Sequence, residues 1–181
     1  MVDILKVAQL GDEILRRQAQ PVVDVVDRRI QTLIDNLIAT ALKANGVGIA
    51  APQVSQSDRL FIVASRPNPR YPQAPKMKPT AMINPKIMGH SLQQVKGWEG
   101  CLSVPGVRGL VPRYQSVEVE YLDRQGQLQR QQLTDFVARI FQHEYDHLEG
   151  IVFVDRVKDK QDLISEAEYQ ALQDSAPTSQ N

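Results

Sequence analysis

One cysteine, Cys101, occurs among the 181 residues. A lone thiol excludes an internal disulfide and a multi-cysteine zinc cluster. Histidine is nearly as scarce, with only His90, His143 and His147. Neither sign of charge is in excess, at 21 basic and 21 acidic residues, so broad affinity for a phosphate backbone is not expected. No apolar run approaches the roughly 20 residues of a membrane span. The start, Met1-Val2-Asp3-Ile4-Leu5-Lys6, lacks the basic-then-apolar order of a secretory signal and is too acidic for a transit peptide. These absences lead us to expect a soluble protein of a reducing compartment, with no specific nucleic-acid binding and no membrane. At this length the chain is about one domain and can bury a real core.

Against that scarcity, two of the three histidines fall in Gln142-His143-Glu144-Tyr145-Asp146-His147. Positions i and i+4 share a helix face, so both imidazoles can close on one metal ion. Glu144 follows the first and projects nearby, placed to handle the proton of a water held there. The segment reads as a helix with Thr134 as N-cap, Asp135 at the positive end of its dipole and Gly150 just past its end. Phe136, Ile140, His143 and His147 make one stripe, so the two ligands continue an apolar face. Phe136 and Ile140 suit either a pocket wall beside the metal or plain core packing.

Elsewhere, residues 24–46 show the clearest helical period, through Ile30, Leu33, Ile34, Leu37, Ile38, Ala41 and Leu42, with Asp24 or Asp27 to cap it and Gly46 to stop it. Arg59 to Ser65 reads as a strand. Arg66 to Pro79 is too rich in proline for helix or central strand. Ala81 to Ile87 suits a strand interrupted at Pro85. Ser116 to Leu122 and Gln127 to Leu133 flank a turn and form a hairpin. Ile151 to Val154 reads as a short strand. A last helix starts near Ser165, where Ser165 and Glu168 match a capping box. Strands and helices are segregated, so we expect an α+β fold: a single domain over 1–174, mostly antiparallel sheets packed around a central metal-binding helix, and a frayed tail over 175–181.

A catalytic zinc-type site uses three protein ligands and leaves a position for water. Downstream carboxylates, Glu166 or Glu168, would suit a protease. Cys101, within Glu99-Gly100-Cys101-Leu102-Ser103, is the other candidate, although a lone cysteine also serves as a small buried hydrophobe. A purely structural metal module would add His90 as fourth ligand and leave Glu144 idle. The glycines at 97, 100 and 106 let backbone come close to a ligand.

Gly46-Val47-Gly48-Ile49-Ala50-Ala51-Pro52-Gln53, EGCLS and QHEYDH occur in one chain in that order, and together they resemble the peptide deformylase family over residues 5 to 157. The resemblance implies removal of an N-terminal formyl group from formyl-methionyl nascent polypeptides, with release of formate. By position it implies metal ligation by Cys101, His143 and His147, acid/base work by Glu144, and oxyanion donors at Gln53 and the Leu102 N–H. It implies substrate contacts at Val47, Gly48, Gly100, Phe136 and Ile140, and Arg108 at the entrance, where a solvated surface arginine is the alternative. Asp146 resembles a residue that orients a histidine or an arginine, Arg113 or Arg139, with a solvated aspartate as the alternative. It further implies one divalent ion, Fe²⁺ in the cell with Zn²⁺, Ni²⁺ or Co²⁺ able to substitute, nascent chains near the ribosomal exit tunnel as partners, and a bacterial-type cytoplasm, or an organelle for a processed form. Two features depart from the pattern: Asp135, where many members carry glycine, and the Pro-rich insert at 66–79.

Overall fold

The computed structural model describes residues 2–175; the tail over 176–181 lies outside the described residues. Two antiparallel sheets make the frame. Strands β1 (Gly48–Ala50), β2 (Leu60–Val63), β3 (Thr80–His90), β6 (Ser116–Leu122) and β7 (Leu128–Thr134) form the larger sheet in that order, and β4 (Gln94–Cys101), β5 (Val104–Tyr114) and β8 (Leu163–Ser165) form the smaller. Helix α1 (Arg28–Lys43) covers one face of the larger sheet, and α2 (Asp135–Leu148) covers the other. Strand side chains alternate between faces. In β2, Leu60 and Ile62 therefore join Ile34 and Leu37 of α1, while Phe61 and Val63 join Ala138 and Phe141 of α2. This sandwiching explains why β2 is apolar at every position.

The ends of the helices follow local chemistry. Asp27 caps α1 by accepting the Arg29 N–H at 2.7 Å. The stop comes one residue before the expected Gly46: Asn45 takes the left-handed conformation (φ 53°), and the Gly46 N–H closes on Ala41 O at 2.8 Å. Thr134 stands before α2 but its side chain makes no cap bond; Asp135 itself is left-handed (φ 51°), which is why glycine suits that position. Gly150 ends α2 at φ 72°, with the Ile151 N–H on Asp146 O at 2.9 Å.

Two other expectations need correction, and one hairpin had no expectation at all. β3 continues through Pro85, because a register shift between Ile83 and Lys86 leaves the imino nitrogen out of the ladder. Ile151 to Val154 is no strand: Val152 and Phe153 are buried against Leu15 and Val111, and Asp155 accepts the Val152 N–H at 2.9 Å to close a 3₁₀ turn over Phe153–Arg156. The β4–β5 hairpin carries the cysteine yet has little strand signal, since Gly97 and Gly109 sit where a Cβ would come within 2.8 Å of Arg139 and of Phe153. A last helix, α3 (Glu166–Ser175), starts as expected, with the Glu168 N–H on Ser165 Oγ at 3.1 Å and the Ser165 N–H on Glu168 at 2.7 Å.

A methyl group on Gly150 would approach Arg16 O to 2.7 Å in a left-handed conformation that disfavours L side chains. Gly150→Ala should therefore cost about 2 kcal/mol or more of stability. Urea unfolding checks this; a variant as stable as the parent would contradict this account of the helix end.

Candidate metal centre

Three elements meet at one point. Cys101 ends β4, His143 and His147 lie one turn apart on α2, and Gln53 sits in the 3₁₀ turn Ala51–Val54 behind β1. The donor atoms of Cys101, His143 and His147 all lie within 4.8 Å of one another, the one such group of three among the described residues. Cys101 Sγ stands 3.3 Å from His147 Nε2, near the roughly 3.5 Å expected of two donors arranged tetrahedrally about one ion. Burial alone would raise the Cys101 thiol, but the imidazoles of His147 and His143 outweigh it and hold it well below its usual range. A soft thiolate and two imidazoles are a donor set for a first-row divalent ion. The residues fit a metal.

Glu99 supports this set from behind. Side chains two apart on a strand share a face, so Glu99 lies on the Cys101 side of β4. It meets His143 Nδ1 at 2.9 Å, which leaves Nε2 to face the thiol. Burial would raise the Glu99 carboxyl, yet Arg113 and His143 hold it well below the usual carboxylate range. Arg113 donates to both Glu99 oxygens at 2.9 and 3.0 Å and to Asp146 at 2.6 Å. Asp146 thus orients Arg113, and also Arg156; Arg139 turns instead to Glu99 at 2.9 Å.

Glu144 is buried, and its Oε2 has no hydrogen-bond partner. Burial pushes its carboxyl up to about 7. A Cβ on Gly48 would lie 2.5 Å from Glu144 Oε1, so β1 can pass only as glycine there. Gln53 accepts the Ala50 N–H at 2.9 Å, which turns its Nε2 toward Cys101 Sγ (3.3 Å) and Ser103 Oγ (3.1 Å).

A cleft opens beside these groups. Val47, Gly48, Gly100, Leu102, Phe136 and Ile140 line it, together with Gln53, Cys101, His143 and Glu144. Arg108 does not. It is wholly buried behind Gly100 and paired with Glu166, neither at a solvated surface nor on the cleft wall. Glu166 and Glu168 are spent on Arg108 and on the start of α3, so neither serves as a ligand. His90 is exposed and stacks on Tyr114 at 3.7 Å, away from the centre. Sequence reasoning missed Glu99, Arg70, Tyr71 and Trp98 on the cleft wall, and named Arg139 there only as a partner for Asp146. Glu99 was legible from its i, i+2 spacing to Cys101; the others carry no local signal.

The family profile described as "Polypeptide deformylase" matches residues 4–162. This chain belongs to the polypeptide deformylase family. It is 67% identical over 170 residues to "Peptide deformylase 2" of Nostoc sp., covering 94% of this chain and 95% of the relative. It is 51% identical to "Peptide deformylase 2" of Shewanella oneidensis over 84% of this chain and 83% of the relative. Among solved structures it resembles a class I type b peptide deformylase from Acinetobacter baumannii with Met-Ala-Ser bound. That pair gives a TM-score of 0.84 and 50% identity, covering 87% of this chain and all of the other (100%). The enzyme is a metal-dependent hydrolase that removes the formyl group from the amino terminus of formyl-methionyl polypeptides and releases formate.

The raised Glu144 carboxyl has a measurable consequence in the metal-free protein. Between the usual 4.5 and about 7 the folded state keeps a proton that the unfolded state has released. Stability should therefore fall as pH rises through that window, by on the order of 2–3 kcal/mol from this group. Glu144→Gln should lack that component. Urea unfolding of both metal-free proteins at pH 5 and about pH 7.5 tests it; parallel pH dependence would contradict the assignment.

Proposed function

We propose that Cys101, His143 and His147 hold one divalent ion and that Glu144 is the acid/base of formyl hydrolysis. The observation that carries this reading is the unpartnered, buried Glu144 oxygen on the wall of the cleft that also holds the three-donor set. A buried carboxylate oxygen without a partner is costly to keep. Attacking water beside the donor set would be that partner.

The bound ion supplies Lewis acidity and makes a water more acidic. Glu144 accepts the proton of the attacking water and returns it to the departing amide nitrogen. As the formyl carbon becomes tetrahedral, charge grows on its oxygen. Gln53 Nε2 and the Leu102 N–H donate to it. Gln53 is fixed for this by its bond to Ala50 N rather than by substrate, so it is set before the reaction. Gly48 and Gly100 offer backbone to the substrate peptide on either side of the cleft. A formyl group carries hydrogen where other acyl groups carry carbon, so a tight floor where Gly48 packs on Glu144 discriminates by size.

Val47, Phe136 and Ile140 give the first side chain an apolar, unbranched pocket that suits methionine. The Met-Ala-Ser bound to the Acinetobacter baumannii relative agrees in its first residue. We assign Fe²⁺ as the cellular ion, with Zn²⁺, Ni²⁺ or Co²⁺ as substitutes. The catalytic domain is 1–174, and it acts on nascent chains near the ribosomal exit tunnel in a bacterial-type cytoplasm.

Glu144→Ala should keep one ion per chain and lose about 10²–10⁴ in kcat, whereas Cys101→Ala should lose both tight metal binding and activity. Metal analysis with formate release from a formyl-Met peptide reads both. Near-parental turnover in Glu144→Ala, or stoichiometric metal in Cys101→Ala, would overturn the assignment.

Two imidazoles and a thiolate favour zinc over iron in affinity, but rate need not follow affinity. Apo-protein loaded anaerobically with Fe²⁺ should be the fast form and lose activity in air, through oxidation of iron and of the Cys101 sulfur. Zn²⁺ should give a slower, durable form, and Ni²⁺ or Co²⁺ should keep most activity in air. A zinc form as fast as the iron form, with an iron form stable in air, would contradict this.

A further inference from the structure

Arg108 heads the fully buried side chains of this protein by volume. Its Nε and Nη2 donate to the two carboxylate oxygens of Glu166, each at 2.7 Å, while Nη1 has no partner. Its guanidinium carbon lies 4.5 Å from the ring centre of Tyr169 and 5.1 Å from that of Tyr71. The cation thus lies over two aromatic rings and is clamped by one carboxylate. Glu166 and Tyr169 belong to α3. Tyr71 belongs to the Pro-rich segment.

This cluster touches the cleft at several points. Tyr71 packs on Phe136 with ring centres 5.3 Å apart, and its hydroxyl accepts the Gly100 N–H at 3.4 Å. A Cβ on Gly100 would come within 3.1 Å of Arg108 Cδ and Cζ, so the guanidinium lies directly behind that strand. Trp98 meets Tyr169 edge-on at 5.9 Å. Tyr71, Trp98, Gly100 and Phe136 all line the cleft. Tyr71 lies outside the named helices and strands; an isolated bridge to Asn68 holds its backbone, and its ring is placed by Phe136, Arg70 and Arg108. No residue of α3 is fully buried, which makes the Arg108 clamp and the short β8–β5 pairing its main attachments.

We propose that α3 is a working part of the peptide cleft. Glu166 and Tyr169 are positioning residues: by holding Arg108 they hold Tyr71 and the Gly100 strand at the spacing that grips substrate residues beyond the first. The proposal rests on the reading that this cleft holds the peptide. Glu166 is partly exposed, with 44% of its side chain accessible, so the clamp can be weakened without opening the core.

The test compares formyl-Met amide with a formyl-Met tripeptide on metal-loaded enzyme. Glu166→Gln and Tyr169→Leu should raise KM for the tripeptide about three- to tenfold with kcat nearly constant, and should leave the amide unchanged. Tyr169→Phe keeps the ring and should match the parent. Trp98 is the single tryptophan, so its emission should shift to the red in the first two variants and not in the third. An unchanged tripeptide KM, or an equal loss on both substrates, would overturn the proposal. Val47→Trp, on the cleft wall, reads the cleft itself. If it spares tripeptide hydrolysis, the peptide lies elsewhere and the reading of the cleft falls. If it abolishes hydrolysis while the α3 variants behave as the parent, the inference about α3 falls alone.

Discussion

The carboxylate of Glu99 is the hinge of this structure's chemistry. It is buried, and it is shared by Arg113, Arg139 and His143, which come from β5 and α2. A buried charge survives only when its partners replace the water it has lost, and removing one partner of such a set typically costs about 3–5 kcal/mol. The same bonds that make Glu99 tolerable tie the small sheet to the central helix. They also fix the His143 ring, so that its free nitrogen faces the Cys101 thiol. Fold stability and donor geometry are therefore one constraint here.

Around that constraint the protein accepts local costs. Glu144 is kept buried with one oxygen unmatched, and β1 carries a glycine where it passes. Gln53 is turned toward the centre by a bond to its own backbone turn. These features make sense of one another when a reacting group occupies the space between them. Val47, Phe136 and Ile140 add apolar wall to the same cleft.

Much of this was legible in the amino-acid order, for definite reasons. The i, i+4 histidines depend only on helix geometry, and the period of α1 and the Ser165–Glu168 box are likewise local. What escaped was non-local. The β4–β5 hairpin looks like loop because its glycines admit Arg139 and Phe153 from other elements, a need visible only once those elements are packed. Val152 and Phe153 alternate poorly because both are buried in a turn. Arg108 has a surface residue's chemistry and a core residue's position, which no nearby residue announces. The three donors themselves span β4 and α2, and it was resemblance, rather than spacing, that joined Cys101 to the histidines.

X-ray absorption at the metal edge of the zinc-loaded enzyme tests the central claim most directly. One ion per chain is expected, with one sulfur at about 2.3 Å and two imidazole nitrogens at about 2.0–2.1 Å. A spectrum without sulfur, or one that keeps its sulfur signal in Cys101→Ala, would contradict it.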